Sequence, residues 1–308
     1  MTKNGVTVLW AAVVTIVVVM GGMVFAASSL TTGDNSAPTN GAPANGALVD
    51  AAGVRQYVVC AGPSPAPVAA DSTTSASPTV VLISGLGAAA ADAWSDVMPS
   101  VATTQRVCAV DRPGTGESPN RPGEINSPVL NAHELLAALA AAGEQGPYVF
   151  VGWSYGGVVA LAAAADAQAT DDLAGVVLVD GTLPDEYRTI DTEGWEEGGV
   201  ELDMASAEPV IAALRLGGIP VVVLVAGQQP YDDDIVNEIL DKADDLSRKS
   251  SDFVFGEVPS SGHFIAGDTP AAVIAAIDEV LKATSPDVEM PPCPAELSAA
   301  GVACLDGQ

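Results

Sequence analysis

Short apolar runs alternating with helical segments set the rhythm of this 308-residue chain. Val80 to Ile83, Tyr148 to Val151, Ala174 to Val179, Val221 to Gly227 and Phe253 to Phe255 are short apolar runs and read as strands. Between them lie segments with helical character. Val129 to Leu139 carries leucines at helical spacing, Val158 to Ala165 is rich in alanine, and Thr269 to Lys282 has Pro270 just inside its start. An acidic run, Asp232 to Asp234, precedes Ile235 to Ala243 and resembles a helix start capped by aspartate. The two ends break this rhythm. Val6 to Ala27 holds 22 residues without a charge, long enough to cross a bilayer. Ser28 to Ala52 is a Gly/Pro/Ala/Asn/Thr stretch too poor in large apolar side chains to fold alone.

One junction between strand and helix carries chemistry. Gly152-Trp153-Ser154-Tyr155-Gly156 is a G-x-S-x-G pentapeptide, with a strand before it and a helix after it. A serine on so sharp a turn adopts a strained backbone, and the flanking glycines remove side chains that would clash there. The turn lifts the hydroxyl above the sheet at the positive end of a helix, which makes Ser154 the candidate nucleophile. Such a serine needs a base, and the chain has only two histidines. His133 lies in a helix ahead of the nucleophile strand and reads as a surface or packing residue. His263 lies in a turn after a late strand, in the chain order this scaffold uses. It is the candidate general base. The carboxylate that orients the imidazole has two candidate positions. Asp180 ends the apolar strand Ala174 to Val179, where a partly buried carboxylate needs a partner. Asp232 or Asp233, after the strand that ends at Gly227, is the alternative.

Four phrases carry a family resemblance: Pro78 to Gly87, Arg106 to Ser118 (containing Asp111-Arg112-Pro113-Gly114-Thr115-Gly116), Gly146 to Gly157, and Leu178 to Asp185. In this order they resemble the α/β-hydrolase superfamily, and within it a bacterial group of serine hydrolases and esterases. The likeness spans about Val54 to Ala283. It implies an α/β fold, a doubly wound, mostly parallel sheet of the α/β-hydrolase type, with a Ser-His-Asp triad. In the dehalogenase branch the acid stands where Asp180 stands here. Two departures from the relatives, Ser84-Gly85 for His-Gly and Gly152-Trp153-Ser154 for Gly-His-Ser, alter the pocket wall and leave every catalytic atom in place. A serine at position 154 excludes haloalkane dehalogenase and epoxide hydrolase chemistry, which need a carboxylate there.

The same geometry predicts an oxyanion hole from the amide of Tyr155, directly after the nucleophile, and that of Leu86, between Gly85 and Gly87. Between the strands near 176–180 and 221–226, a short cap over about 184–219 is expected. It is acidic, with Asp185, Glu186, Asp191, Glu193, Glu196, Glu197, Glu201 and Asp203, and reads as a solvated face beside Tyr187 and Trp195. A short cap suggests an accessible site, and its field disfavours anionic substrates.

Composition then bounds the partners. A formal net charge of −28, from 39 acidic and 11 basic residues, excludes nucleic acid as a partner. The chain reads as four parts: 1–27, a transmembrane signal-anchor or a cleaved signal peptide; 28–52, a disordered linker; 53–285, the hydrolase domain; and 286–308, a Cys-containing tail. Lys3 orients the bulk of the chain outward, so membrane contact is expected through the N-terminal segment only. The four cysteines fit an exported location. Cys293 and Cys304 are expected to pair, while Cys60 and Cys108, on neighbouring strands, are either bonded or buried thiols. No cofactor and no metal are expected, since no C-x-x-C is present and His263 is already committed. The resulting expectation is an exported serine hydrolase acting on a small neutral ester through an acyl-enzyme. Perhydrolase or haloperoxidase-like, amidase, lactonase or C–C hydrolase activity on the same triad is the alternative, as is a non-catalytic binding protein of this fold. Oligomeric state is left open by the sequence.

Overall fold

Nine strands assemble into one sheet in the order β1-β2-β4-β3-β5-β6-β9-β10-β11. The computed structural model describes residues 46–64, 77–183, 188, 192–229, 231, 233–285 and 287–305. The strands are β1 (Ala47–Ala51), β2 (Val54–Ala61), β3 (Thr79–Ile83), β4 (Val107–Asp111), β5 (Tyr148–Trp153), β6 (Leu173–Val179), β9 (Val221–Ala226), β10 (Phe253–Val258) and β11 (Ala303–Cys304). A separate two-stranded ribbon, β7 (Glu196–Glu197) and β8 (Val200–Glu201), belongs to the cap. From β4 to β10 all pairings are parallel, and antiparallel pairings occur at the margins, in β1 with β2, β2 with β4 and β10 with β11. The expected α/β fold with a doubly wound, mostly parallel sheet is what the chain adopts.

The central strands are buried on both faces, and their side chains alternate between two cores. Val81, Ile83 and Phe150 pack with α3 (Pro128–Ala141), α4 (Tyr155–Gln168) and α5 (Ala207–Ala213). Val80, Leu82, Val149 and Val151 pack on the other face with α1 (Ala90–Ala93), α2 (Met98–Val101), α8 (Pro270–Ala283) and α9 (Ala295–Ala299). α6 (Asp233–Ser247) adds Ala243 and Leu246 to the first core, and α7 (Ile265–Asp268) adds Ile265 and Ala266 to the second. Such two-sided burial explains why these strands are continuous apolar runs. The start of α3 is fixed by Ser127, whose Oγ accepts a hydrogen bond from the Leu130 amide at 3.2 Å, and by Pro128 at the first helical position.

Both ends of the sheet depart from the sequence expectation. Residues 47–51, assigned to the linker, form β1, because a tight turn at Ala52-Gly53 folds them back along β2. The tail also joins the fold. α9 packs its Leu297 into the core, and β11 pairs with Gly256 and Glu257 of β10. Cys60 faces Cys108 across β2 and β4, and the two are bonded; Cys293 is bonded to Cys304. Among the described residues no helix is long and apolar enough to cross a membrane. The apolar segment Val6 to Ala27 lies outside them.

Candidate active site

Ser154 lies between β5 and α4 with φ 54° and ψ −129°, a conformation rarely adopted by a residue with a side chain. The surroundings hold it there. Its carbonyl accepts hydrogen bonds from the amides of Gly157 (2.7 Å) and Thr182 (2.8 Å), which tie the turn to α4 and to the loop after β6. The glycines answer to space as well as to conformation. A Cβ on Gly156 would lie 2.3 Å from the Ile83 carbonyl oxygen, and one on Gly152 would lie 2.3 Å from that of Gly156. Only bare backbone lets the helix start this close to β3 and β5.

The structure brings three predicted residues together. His263 Nε2 is 2.9 Å from Ser154 Oγ, and His263 Nδ1 is 2.6 Å from Asp180 Oδ2. Asp180 terminates β6 at φ 43°, its backbone amide bonded to Leu224 of the neighbouring β9. Its carboxylate is 6 % exposed, so both oxygens need donors. Oδ1 accepts from the Ala226 amide and from Gln229 Nε2, each at 2.8 Å, leaving Oδ2 for the histidine. Of the alternative acids, Asp232 lies outside the described residues, and Asp233 is the first residue of α6. His133 lies exposed on α3, as its sequence context suggests.

Tyr155 is the first residue of α4, so its amide is among those a helix leaves without an intrahelical acceptor. Leu86 follows β3 and lines, with Ser154, a cavity of about 270 Å³. Trp153, Trp195, Tyr231 and Ile239 supply much of its remaining wall, and no lysine or arginine is among its described lining residues. A larger groove of about 450 Å³ between α5 and α6 contains none of these side chains.

Some contributions escaped the sequence reading. Trp153, noted there only as a changed wall, donates from Nε1 to the His263 carbonyl at 2.8 Å and packs its ring on His263 and Phe264, with centroids 5.6 and 4.8 Å away. Gln229 orients the acid. Glu197 was assigned to a solvated acidic face, yet its side chain is fully buried against Arg112. A buried arginine requires a carboxylate, and the Asp-Arg-Pro-Gly phrase was the signal from which a partner could have been sought. Asp185, Glu186, Tyr187 and Asp191 of the expected cap lie outside the described residues. The Tyr155 phenol is buried, and burial pushes it above its usual range; its oxygen accepts from Asn131 Nδ2 at 2.8 Å.

A mostly parallel sheet with a serine lifted at the turn between β5 and α4 is the architecture of the α/β-hydrolase fold, which this chain shares. The alpha/beta hydrolase fold family matches residues 78–196. Among solved structures, Cfl2 from Burkholderia cenocepacia is 19 % identical, with a TM-score of 0.58 over 77 % of this chain and 95 % of that one. A thermophilic esterase from Thermogutta terrifontis is 19 % identical (TM-score 0.54, 78 % and 99 % covered). The naproxen esterase of Bacillus subtilis is 14 % identical (TM-score 0.53, 76 % and 90 % covered). At such identities the likeness concerns the fold. No curated protein matches the chain significantly.

Proposed function

We propose that the chain is a serine hydrolase that cleaves a small, neutral ester through an acyl-enzyme. The observation that carries this reading is the continuous relay from Ser154 through His263 to Asp180, at 2.9 and 2.6 Å. In the proposed reaction Ser154 Oγ attacks the ester carbonyl while His263 Nε2 takes its proton. The carbonyl oxygen gains a full negative charge, which the amides of Tyr155 and Leu86 stabilise without reorganising. The imidazolium, held by Asp180, returns the proton to the departing alkoxide, and an alcohol leaves. Water then enters, gives a proton to His263 and attacks the acyl group. Collapse of the second intermediate releases the acid and restores Ser154. The cavity supports a small substrate by its volume of about 270 Å³, and a neutral one by lacking a basic lining residue among those described. Esterases are among the structural neighbours, which is consistent with ester hydrolysis.

We further propose that the protein works outside the cytoplasm. Two disulfides are compatible with export, and the apolar Val6 to Ala27 would serve as its anchor or cleaved leader. The proposed partner is the small-molecule substrate, with no nucleic acid, and with a membrane contacted only by that segment.

A fluorophosphonate probe tests the reading, because only an activated serine reacts with it quickly. The chain is expected to label at Ser154 and to hydrolyse short p-nitrophenyl esters, and Ser154→Ala is expected to lose both properties. A folded protein that neither labels nor turns over these esters would be a binding protein, and the hydrolase reading would be wrong.

A further inference from the structure

We propose that Arg112 and Glu197 are positioning residues that hold the oxyanion loop, so that the cap sets the geometry of the transition-state site. This inference rests on the hydrolase reading above. Arg112 follows β4 directly and is fully buried. Its Nε and Nη2 donate to the two carboxylate oxygens of Glu197 at 2.8 and 2.7 Å, a bidentate pair in which both side chains are 0 % exposed. The remaining bonds reach the loop after β3. Nη1 donates to the Ser84 carbonyl and Nη2 to that of Gly85, each at 2.8 Å. Glu197 Oε1 in turn accepts from the Gly87 amide at 2.9 Å. Residues 84, 85 and 87 are thus fixed on both sides of Leu86, whose amide is the proposed second oxyanion donor. The guanidinium also lies over the Tyr155 ring, 5.1 Å from its centre, so one side chain touches Tyr155 and grips the two residues that precede Leu86.

Glu197 reaches this place from the cap ribbon β7–β8, which seats itself against the loop after β4. A Cβ on Gly114 would lie 2.3 Å from Gly198 Cα, and Asn126 Nδ2 donates to the Glu197 carbonyl at 3.3 Å. Stability alone is a poor account of this pair. Two buried charges can often be exchanged for apolar side chains of like volume without loss of stability. Apolar groups, however, could not grip two carbonyls and an amide at once. Desolvation works against the charged guanidinium, and the adjacent Glu197 carboxylate outweighs it, so Arg112 holds its proton more firmly than a free arginine.

Two variants of the full protein test the inference. Glu197→Asp keeps both charges, and with them the fold, while drawing the carboxylate back by one methylene. Arg112→Met with Glu197→Met removes both charges and fills the space. Glu144→Gln, at the Arg106–Glu144 pair at the opposite end of β4, controls for loss of an ion pair in general. For both pair variants kcat on a p-nitrophenyl ester is expected to fall about tenfold to a hundredfold, short of what losing a whole donor costs, with KM within about twofold. Affinity for a trifluoromethyl ketone, which mimics the tetrahedral oxyanion, should fall by the same factor. Glu144→Gln should change neither. The positioning role is overturned if either folded variant keeps kcat within about threefold, or if ketone affinity is retained while kcat drops. Wild-type protein that resists fluorophosphonate would instead overturn the hydrolase reading itself.

Discussion

At Ser154, φ 54° places the hydroxyl within 2.9 Å of the imidazole, and it is the neighbours' lack of side chains that permits the turn. Gly156→Ala would push a methyl group toward the Ile83 carbonyl, and is expected to cost about 1–3 kcal/mol in chemical denaturation besides lowering activity. The acid is tested separately. Asp180→Asn preserves the volume but leaves His263 without its negative partner and favours the wrong tautomer, so kcat should fall by about 10⁴. The same substitution at Asp232 or Asp233 should leave it within about threefold. Ser154 and His263 have local signatures in the sequence, an elbow motif and a scarce residue type after a late strand. Asp180, a carboxylate ending an apolar run, shares its candidacy with Asp232 or Asp233 until the fold sets it beside His263. Glu197 has no such signature. It sits among Glu193, Glu196 and Glu201, and only Arg112, 85 residues away, distinguishes it.

The same contrast holds for the elements. The buried strands and the longer helices follow from runs and periodicity, because both faces of those strands meet apolar side chains. β1 and β11 are short marginal strands defined by what they pair with, and that information lies elsewhere in the chain. α3 offers two element-scale predictions. Ser127→Ala removes the cap at its start and should cost about 1 kcal/mol, a fall of roughly 2–4 °C in Tm by calorimetry. Farther along, α3 buries Glu134 with Arg121 at 2.9 Å. Burial holds the Glu134 carboxyl above its usual 4.5, despite Arg121 beside it. A carboxyl raised by folding contributes stability that is fully present below its unfolded value and lost as pH rises through its folded one. Glu134→Gln does not ionise. Its Tm relative to wild type is therefore expected to climb as pH is raised from about 4 to about 7, and a flat difference would contradict the shift.

For the whole molecule, charge and covalent links act in opposite directions. A net charge of −28 repels itself across the surface, so added salt should raise Tm until the repulsion is screened. The disulfides restrict the unfolded chain. Closing a 48-residue separation through Cys60 and Cys108 contributes about 4 kcal/mol on the loop-entropy estimate, and the 11-residue separation of Cys293 and Cys304 about 3 kcal/mol. Removal of the first bond is therefore expected to lower the denaturation midpoint more than removal of the second.

One bond ties β2 to β4 beside the first margin of the sheet, and the other closes the tail segment that supplies β11 at the last. An open sheet ordinarily ravels from its hems. With a covalent link near each hem, heat is expected to start elsewhere, and the ribbon gripping the loop beside Ser154 has no such thread. A warmed sample should consequently fall silent as a catalyst while its far-ultraviolet dichroism is still that of the intact protein.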